Sequence, residues 1–226
     1  MVYVADPSTR PVGRESEATV DAAPPWVFQR PLDPARAPVP EGLPLAVLFD
    51  RDGTLVEDVP YNGDPALVRP MPWALDALGA LRARGIPVGV VSNQSGVARG
   101  LLTRQQVEAV QRRIEQFLGP FDVWVVCPHG TGDGCGCRKP APGLVLTAAE
   151  CLDVHPSRVA VIGDVGSDVE AARAAGARGV LVPNPYTRLE EVADALEVEP
   201  NLLGAVRRLL RGDRPDPSGA DGGPAR

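Results

Sequence analysis

The sequence predicts an α/β fold, a doubly wound and mainly parallel sheet with helices on both faces. Three observations predict it. Short aliphatic runs at 45–49, 86–91, 123–126, 159–162 and 179–182 recur along the chain. Continuous runs of this length suit strands buried on both faces. Stretches of helical periodicity with start and stop signals separate them. Polar, chemistry-bearing residues directly follow each run, where such a sheet gathers its ligands.

The elements follow in order. The run 45–49 is the first strand and ends in Asp50 and Asp52. One helix, near 73–84, leads to the run 86–91, which is followed by Ser92, Asn93 and Gln94. Thr103 and Gln106 form a capping box for a helix with Val107, Val110, Ile114 and Phe117 on one face and Gly119 as its stop. The run 123–126 opens onto Cys127 and His129. Leu144, Ala148, Cys151 and Leu152 share a helical pattern, which places Cys151 in the core. The run 159–162 ends at Gly163 and Asp164, and Ser167 with Glu170 predicts a helix stopping at Gly176. The run 179–182 ends at Pro183 and Asn184, and Thr187 with Glu190 predicts the next helix.

The flanks differ in composition. Residues 1–44 hold nine prolines and residues 45–211 only thirteen, so the first segment reads as an irregular arm. Trp26, Val27 and Phe28 offer it a docking point. The ending GDRPDPSGADGGPAR, 212–226, reads as a disordered tail. Residues 45–211 are then a single domain.

A net charge of −6 without a block of Lys or Arg argues against a nucleic-acid surface. No apolar run approaches the roughly 18 residues that span a bilayer, and no signal peptide is visible. A cytoplasmic monomer is expected. In a reducing compartment, four cysteines suit ligand or core roles better than disulfides.

Asp50, Asp52 and Asp164 are expected to converge at one sheet edge. At about 4 Å each like-charged pair costs roughly 4 kcal/mol at an effective dielectric of 20. Mg²⁺, with oxygen ligands and room for a phosphate, relieves that repulsion. A carboxylate facing a phosphoryl group beside such an ion can take it as an acyl phosphate, which is the role read for Asp50. Asp52 then serves as general acid and general base. Ser92 donates to the phosphoryl oxygens, and Lys139 supplies positive charge.

Cys127, His129, Cys135 and Cys137 read C-x-H-x₅-C-x-C. Three thiolates and an imidazole complete a tetrahedral set, so a closed structural Zn²⁺ site is expected, pinning the stretch that leads into Arg138 and Lys139.

FDRDGTLVED, VVSNQSGVARG, CRKP and IGDVGSD resemble, in order, the four motifs of the haloacid dehalogenase (HAD) phosphatase superfamily, over about residues 45–191. Within it, the SNQSG run, the CPH loop and the CxCRKP ending are most similar to the subfamily of heptose 1,7-bisphosphate 7-phosphatases and histidinol-phosphatases. The resemblance implies Asp50 as nucleophile, Asp52 as acid/base, and Mg²⁺ held by Asp50, the Asp52 carbonyl and Asp164, with Asp168 just behind them. It implies that Ser92 and Lys139 bind the phosphoryl group and that Asn93 and Arg138 contact the substrate. Two positions depart from it. VEDVPYNGDP stands where the heptose enzymes show a His-Gly-Tyr-like run, and Val165 stands where they carry Lys.

Asp50 and Ser92 are only 42 positions apart, which leaves no room for a large cap domain. The expected function is Mg²⁺-dependent hydrolysis of a small phosphorylated metabolite, a heptose (bis)phosphate or related sugar phosphate. Two alternatives are a histidinol-phosphatase and an inactive, zinc-stabilised HAD-like binding module.

Overall fold

The structure, a computed structural model, describes residues 23–32, 36 and 38–212. The expected arm lies partly, and the expected tail almost wholly, outside these residues.

Six strands form one sheet: β1 (Trp26–Gln29), β2 (Ala46–Phe49), β3 (Val88–Asn93), β4 (Val123–Cys127), β5 (Val159–Gly163) and β6 (Arg178–Leu181). Their order is β1-β4-β3-β2-β5-β6. All neighbours pair parallel except β1, which runs antiparallel to β4. Among the described residues six α-helices complete the body: α1 (Ala74–Arg82), α2 (Arg104–Leu118), α3 (Gly143–Cys151), α4 (Gly166–Ala174), α5 (Leu189–Asp194) and α6 (Leu202–Leu210). Buried residues of α1, α2 and α6 pack on one face of the sheet, and those of α3 and α4 on the other. Every residue of the central β2 is fully buried, as expected of a strand covered on both sides.

β1 amends the reading of 1–44 as irregular. Trp26 and Phe28 alternate inward against Leu102, Val107 and Val126, and the Arg104 guanidinium lies 5.1 and 5.2 Å from their ring centres. Pro24, Pro25 and Pro31 flank the segment without entering it, so every β1 residue keeps its N–H, and β1 covers the otherwise open edge of β4.

Helix caps divide into local and long-range cases. At Thr103 the capping box forms as expected: the hydroxyl accepts from Gln106 N and the Gln106 amide oxygen accepts from Thr103 N. The helix expected from Ser167 begins at Gly166 instead, because the Asp168 carboxylate accepts from Val165 N at 3.2 Å. The helix expected from Thr187 begins at Leu189 and is closed by Glu191, which accepts from Arg188 N. Thr187 is occupied elsewhere, at Asp164.

Beyond β6 the chain returns beside it, with Leu181 N donating to Glu197 O. The Glu197 side chain is buried and accepts from both Arg178 and Arg208, joining β6 to α6. Glu197→Ala is expected to cost about 3 kcal/mol, the lower end for breaking a buried pair because Arg208 is partly exposed. A thermal melt should show it as a fall of roughly 6–12 °C.

Candidate active site and metal centres

The carboxyl end of the sheet collects the polar residues. Asp50 leaves β2 with its N–H bonded to Ile162 O of β5. The chain then turns at once: Leu55 N and Val56 N both donate to Arg51 O, and Gly53 N donates to Val56 O. Gly53 sits at φ +78°, and a Cβ there would lie 2.4 Å from the nearer Asp164 carboxylate oxygen. This close approach of backbone to carboxylate requires glycine.

Asp50, Asp164 and Asp168 each offer a carboxylate oxygen, all within 4.8 Å of one another. The Asp52 side chain is not in this group, contrary to the expectation of three converging carboxylates at Asp50, Asp52 and Asp164. Its oxygens accept from Arg51 Nε at 2.9 Å and the terminal Arg51 nitrogen at 2.7 Å, and from Gln94 Nε2 at 3.0 Å. The buried Arg51 turns back onto its neighbour and draws that carboxylate away from the cluster.

Lys139 enters from the loop after β4. Its ammonium contacts Asp50 at 2.5 Å, Asp168 at 2.6 Å and the Val91 carbonyl at 2.9 Å. A reciprocal pair fixes its backbone: Asn93 Nδ2 donates to Lys139 O, and Lys139 N donates to Asn93 Oδ1. Asn93 therefore spends its amide on the Lys139 backbone. Ser92 is buried at the end of β3, and its hydroxyl oxygen accepts from Gln94 Nε2 at 2.9 Å, leaving the hydroxyl proton free for another acceptor. Arg138 is half-buried, with one guanidinium nitrogen 3.4 Å from the His129 carbonyl.

Burial pushes the Asp50 carboxyl well above the ordinary carboxylate range. The Lys139 charge opposes this, while Asp168, Asp164 and Asp52 add to it. Burial and Asp168 also lift Asp164, to about 6, against the Thr54 hydrogen bond. For Lys139, burial disfavours the charge, yet Asp168 and Asp50 outweigh it and the pKa rises. One ammonium among three buried carboxylates leaves a net deficit of positive charge. An all-oxygen donor set in that state fits a hard divalent cation such as Mg²⁺.

The second cluster is Cys127 at the end of β4 with His129, Cys135 and Cys137, whose ligand atoms all lie within 4.8 Å of one another. A tetrahedron with bonds of about 2.3 Å to sulfur and about 2.0 Å to nitrogen has edges of roughly 3.8 and 3.5 Å. The observed edges are 3.7 Å from Cys127 Sγ to Cys135 Sγ, 3.4 Å from Cys127 Sγ to His129 Nδ1, and 3.2 Å from His129 Nδ1 to Cys137 Sγ. The set fits Zn²⁺ bound through Nδ1. Burial raises the Cys127 and Cys137 thiols. At Cys135 burial is outweighed by the Arg138 N–H and neighbouring thiols, and its pKa falls.

Four residues at this site carry no substrate, metal or catalytic role from the sequence. Thr54 Oγ1 donates to one oxygen of Asp164 at 2.9 Å and Asn184 Nδ2 to the other at 2.7 Å, while Thr187 Oγ1 donates to its carbonyl. Gln94 joins Ser92 to Asp52. Asn184 and Gln94 both follow strand ends, and that position was their only signal.

Known proteins resemble this chain in sequence and fold. The HAD-hydrolase-like family model matches residues 136–205. The D-glycero-beta-D-manno-heptose-1,7-bisphosphate 7-phosphatase of Pseudomonas putida is 37% identical over 145 residues, covering 60% of this chain and 81% of that protein. The enzyme of the same name from Mesorhizobium japonicum is 35% identical over 192 residues, covering 77% and 88%. The crystal structure of D,D-heptose 1,7-bisphosphate phosphatase from B. bronchiseptica, complexed with magnesium and phosphate, superposes with a TM-score of 0.67 at 30% identity, over 74% of this chain and 99% of that one. With a nearly capless doubly wound sheet and acidic residues gathered at its carboxyl end, this chain belongs to the HAD hydrolase family and is a phosphatase.

Proposed function

We propose that the chain hydrolyses a heptose 1,7-bisphosphate at its 7-phosphate through an aspartyl-phosphate on Asp50, in the cytoplasm and as a monomer. The observation that carries the chemistry is the Asp50 carboxylate at the end of the central strand, grouped with Asp164 and Asp168 and 2.5 Å from the Lys139 ammonium. The relatives' names support the sugar.

Asp50 attacks phosphorus, and the bond from phosphorus to the sugar oxygen breaks. Asp52 gives its proton to that oxygen. Asp52 then takes a proton from water, whose oxygen attacks the acyl phosphate, and inorganic phosphate leaves Asp50. Lys139 and the free Ser92 hydroxyl proton neutralise charge on the phosphoryl oxygens. Asn93 acts through the Lys139 backbone, and Arg138 lies where it can meet the rest of the substrate. Asp50, the Asp52 carbonyl and Asp164 would hold Mg²⁺, with Asp168 behind them anchoring Lys139. When bound, Mg²⁺ supplies charge neutralisation for the phosphoryl group. The Cys127, His129, Cys135 and Cys137 set would hold Zn²⁺ and fix the loop carrying Arg138 and Lys139.

A panel of both heptose 1,7-bisphosphate anomers and histidinol phosphate, each with and without EDTA, tests this reading. A heptose bisphosphate is expected to exceed histidinol phosphate in kcat/KM by at least about a hundredfold, the order of discrimination a pocket that hydrogen-bonds its own substrate can reach. EDTA should abolish turnover of both. Equal rates, or a preference for histidinol phosphate, would overturn the substrate assignment. Absence of turnover on every phosphomonoester tried would favour a binding module.

A further inference from the structure

The loop after β6 supplies no ligand, yet it grips the carboxylate at the heart of the site. Asn184 Nδ2 donates to one Asp164 carboxylate oxygen at 2.7 Å, and Thr187 Oγ1 donates to the Asp164 carbonyl at 2.7 Å. The turn is braced within itself. Asn184 N donates to Thr187 Oγ1 at 2.8 Å, and Thr187 N donates to Asn184 O at 3.1 Å. Tyr186 N donates to Asn184 Oδ1 at 2.8 Å, so the amide oxygen is engaged there and its nitrogen faces Asp164. Thr54 holds the other carboxylate oxygen from the opposite side.

We propose that the turn over 184–187 is a positioning device for Asp164, fixing its rotamer for Mg²⁺. This rests on the metal-site reading above. Each carboxylate oxygen has two acceptor directions. One on each is filled by a neutral donor, so the group is held against rotation and a direction on each remains for the ion. Neutral donors orient the carboxylate without competing for its charge, as a lysine in their place would. Partners of this kind behind a metal ligand typically contribute tenfold to a hundredfold in metal affinity. The β5–β6 pairing delivers the turn, with Val182 N bonded to Gly163 O immediately before Asp164.

Calorimetric titration of Mg²⁺ into the full chain without substrate tests the proposal, alongside thermal melts. The variants are Asn184→Leu, Thr187→Val, Thr187→Ser and Asp164→Ala. Asn184→Leu and Thr187→Val are expected to weaken Mg²⁺ by at least about tenfold. Thr187→Ser, which keeps the hydroxyl, should stay near wild type, and Asp164→Ala should show no binding. In Asn184→Leu the Mg²⁺ concentration for half-maximal activity should rise, while kcat at saturating Mg²⁺ changes little. Wild-type affinity in both Asn184→Leu and Thr187→Val, with binding lost in Asp164→Ala, would overturn the positioning role and spare the metal site. Undiminished binding in Asp164→Ala would overturn both. Equal weakening in Thr187→Ser and Thr187→Val, with a matching fall in melting temperature, would reduce the turn to a merely structural element.

Discussion

Asp50→Asn is expected to lower kcat by at least about a thousandfold while the protein stays folded. An amide in place of the carboxylate cannot form the acyl phosphate, and the other two carboxylates of the cluster are engaged, Asp164 by Thr54 and Asn184 and Asp168 by Lys139. In the metal-free protein the same substitution should leave the melting temperature unchanged or raise it, while the gain in melting temperature on adding Mg²⁺ should shrink. Burial and the charges of Asp168, Asp164 and Asp52 together outweigh Lys139 and hold the Asp50 carboxyl well above the ordinary carboxylate range. A carboxyl whose folded-state pKa is raised loses its stabilising contribution as pH rises, so the charged form of Asp50 is disfavoured by the fold. Its neutral isostere removes that cost, and Lys139 keeps Asp168 as a partner. Loss of turnover together with equal or greater stability is the signature of a residue retained for chemistry. Parallel measurements of kcat and Tm on the metal-free and Mg²⁺-loaded protein check both halves.

Cys135→Ser, or treatment with a chelator strong enough to strip zinc, is expected to lower the melting temperature by roughly 10 °C. That corresponds to a few kcal/mol at about 2–4 °C per kcal/mol for a domain of this size, a fraction of the free energy a structural zinc site can supply. Without an ion the exposed stretch 131–134 between the ligands has little to hold it, since Gly132 and Gly134 contribute no side chains to pack. The effect should reach the chemistry. Cys137 immediately precedes Arg138 and Lys139, and the Lys139 ammonium must lie within hydrogen-bond range of both Asp50 and Asp168. Activity should therefore fall with the zinc content, and zinc but not magnesium should restore the melting temperature. Metal analysis of the purified protein should give about one zinc per chain; a fully stable chain with none would contradict the site.

Much of this architecture was legible because its signals are local. The five parallel strands are continuous apolar runs, and the Thr103 capping box needs only residues three apart. What escaped the sequence depends on distant partners. Trp26–Gln29 is masked by nearby prolines, and only the open edge of β4 makes it a strand. Thr187 has the spacing of a cap, but Asp164 takes its hydroxyl. The side chain of Asp52 should point with that of Asp50 by strand alternation, yet the turn at Gly53 ends the strand first and Arg51 claims the carboxylate. The resemblance places Asp168 just behind the metal ligands, but its 2.6 Å contact with Lys139 is a product of tertiary packing that the sequence does not show.

The proposed chemistry is covalent, with Asp50 carrying the phosphoryl group during turnover. Quenching the enzyme under turnover with borohydride reduces an aspartyl-phosphate to homoserine, and peptide mass spectrometry locates the change. Homoserine is expected at position 50, dependent on substrate and Mg²⁺. Turnover with position 50 still aspartate, or homoserine at position 52 or 164 instead, would contradict it.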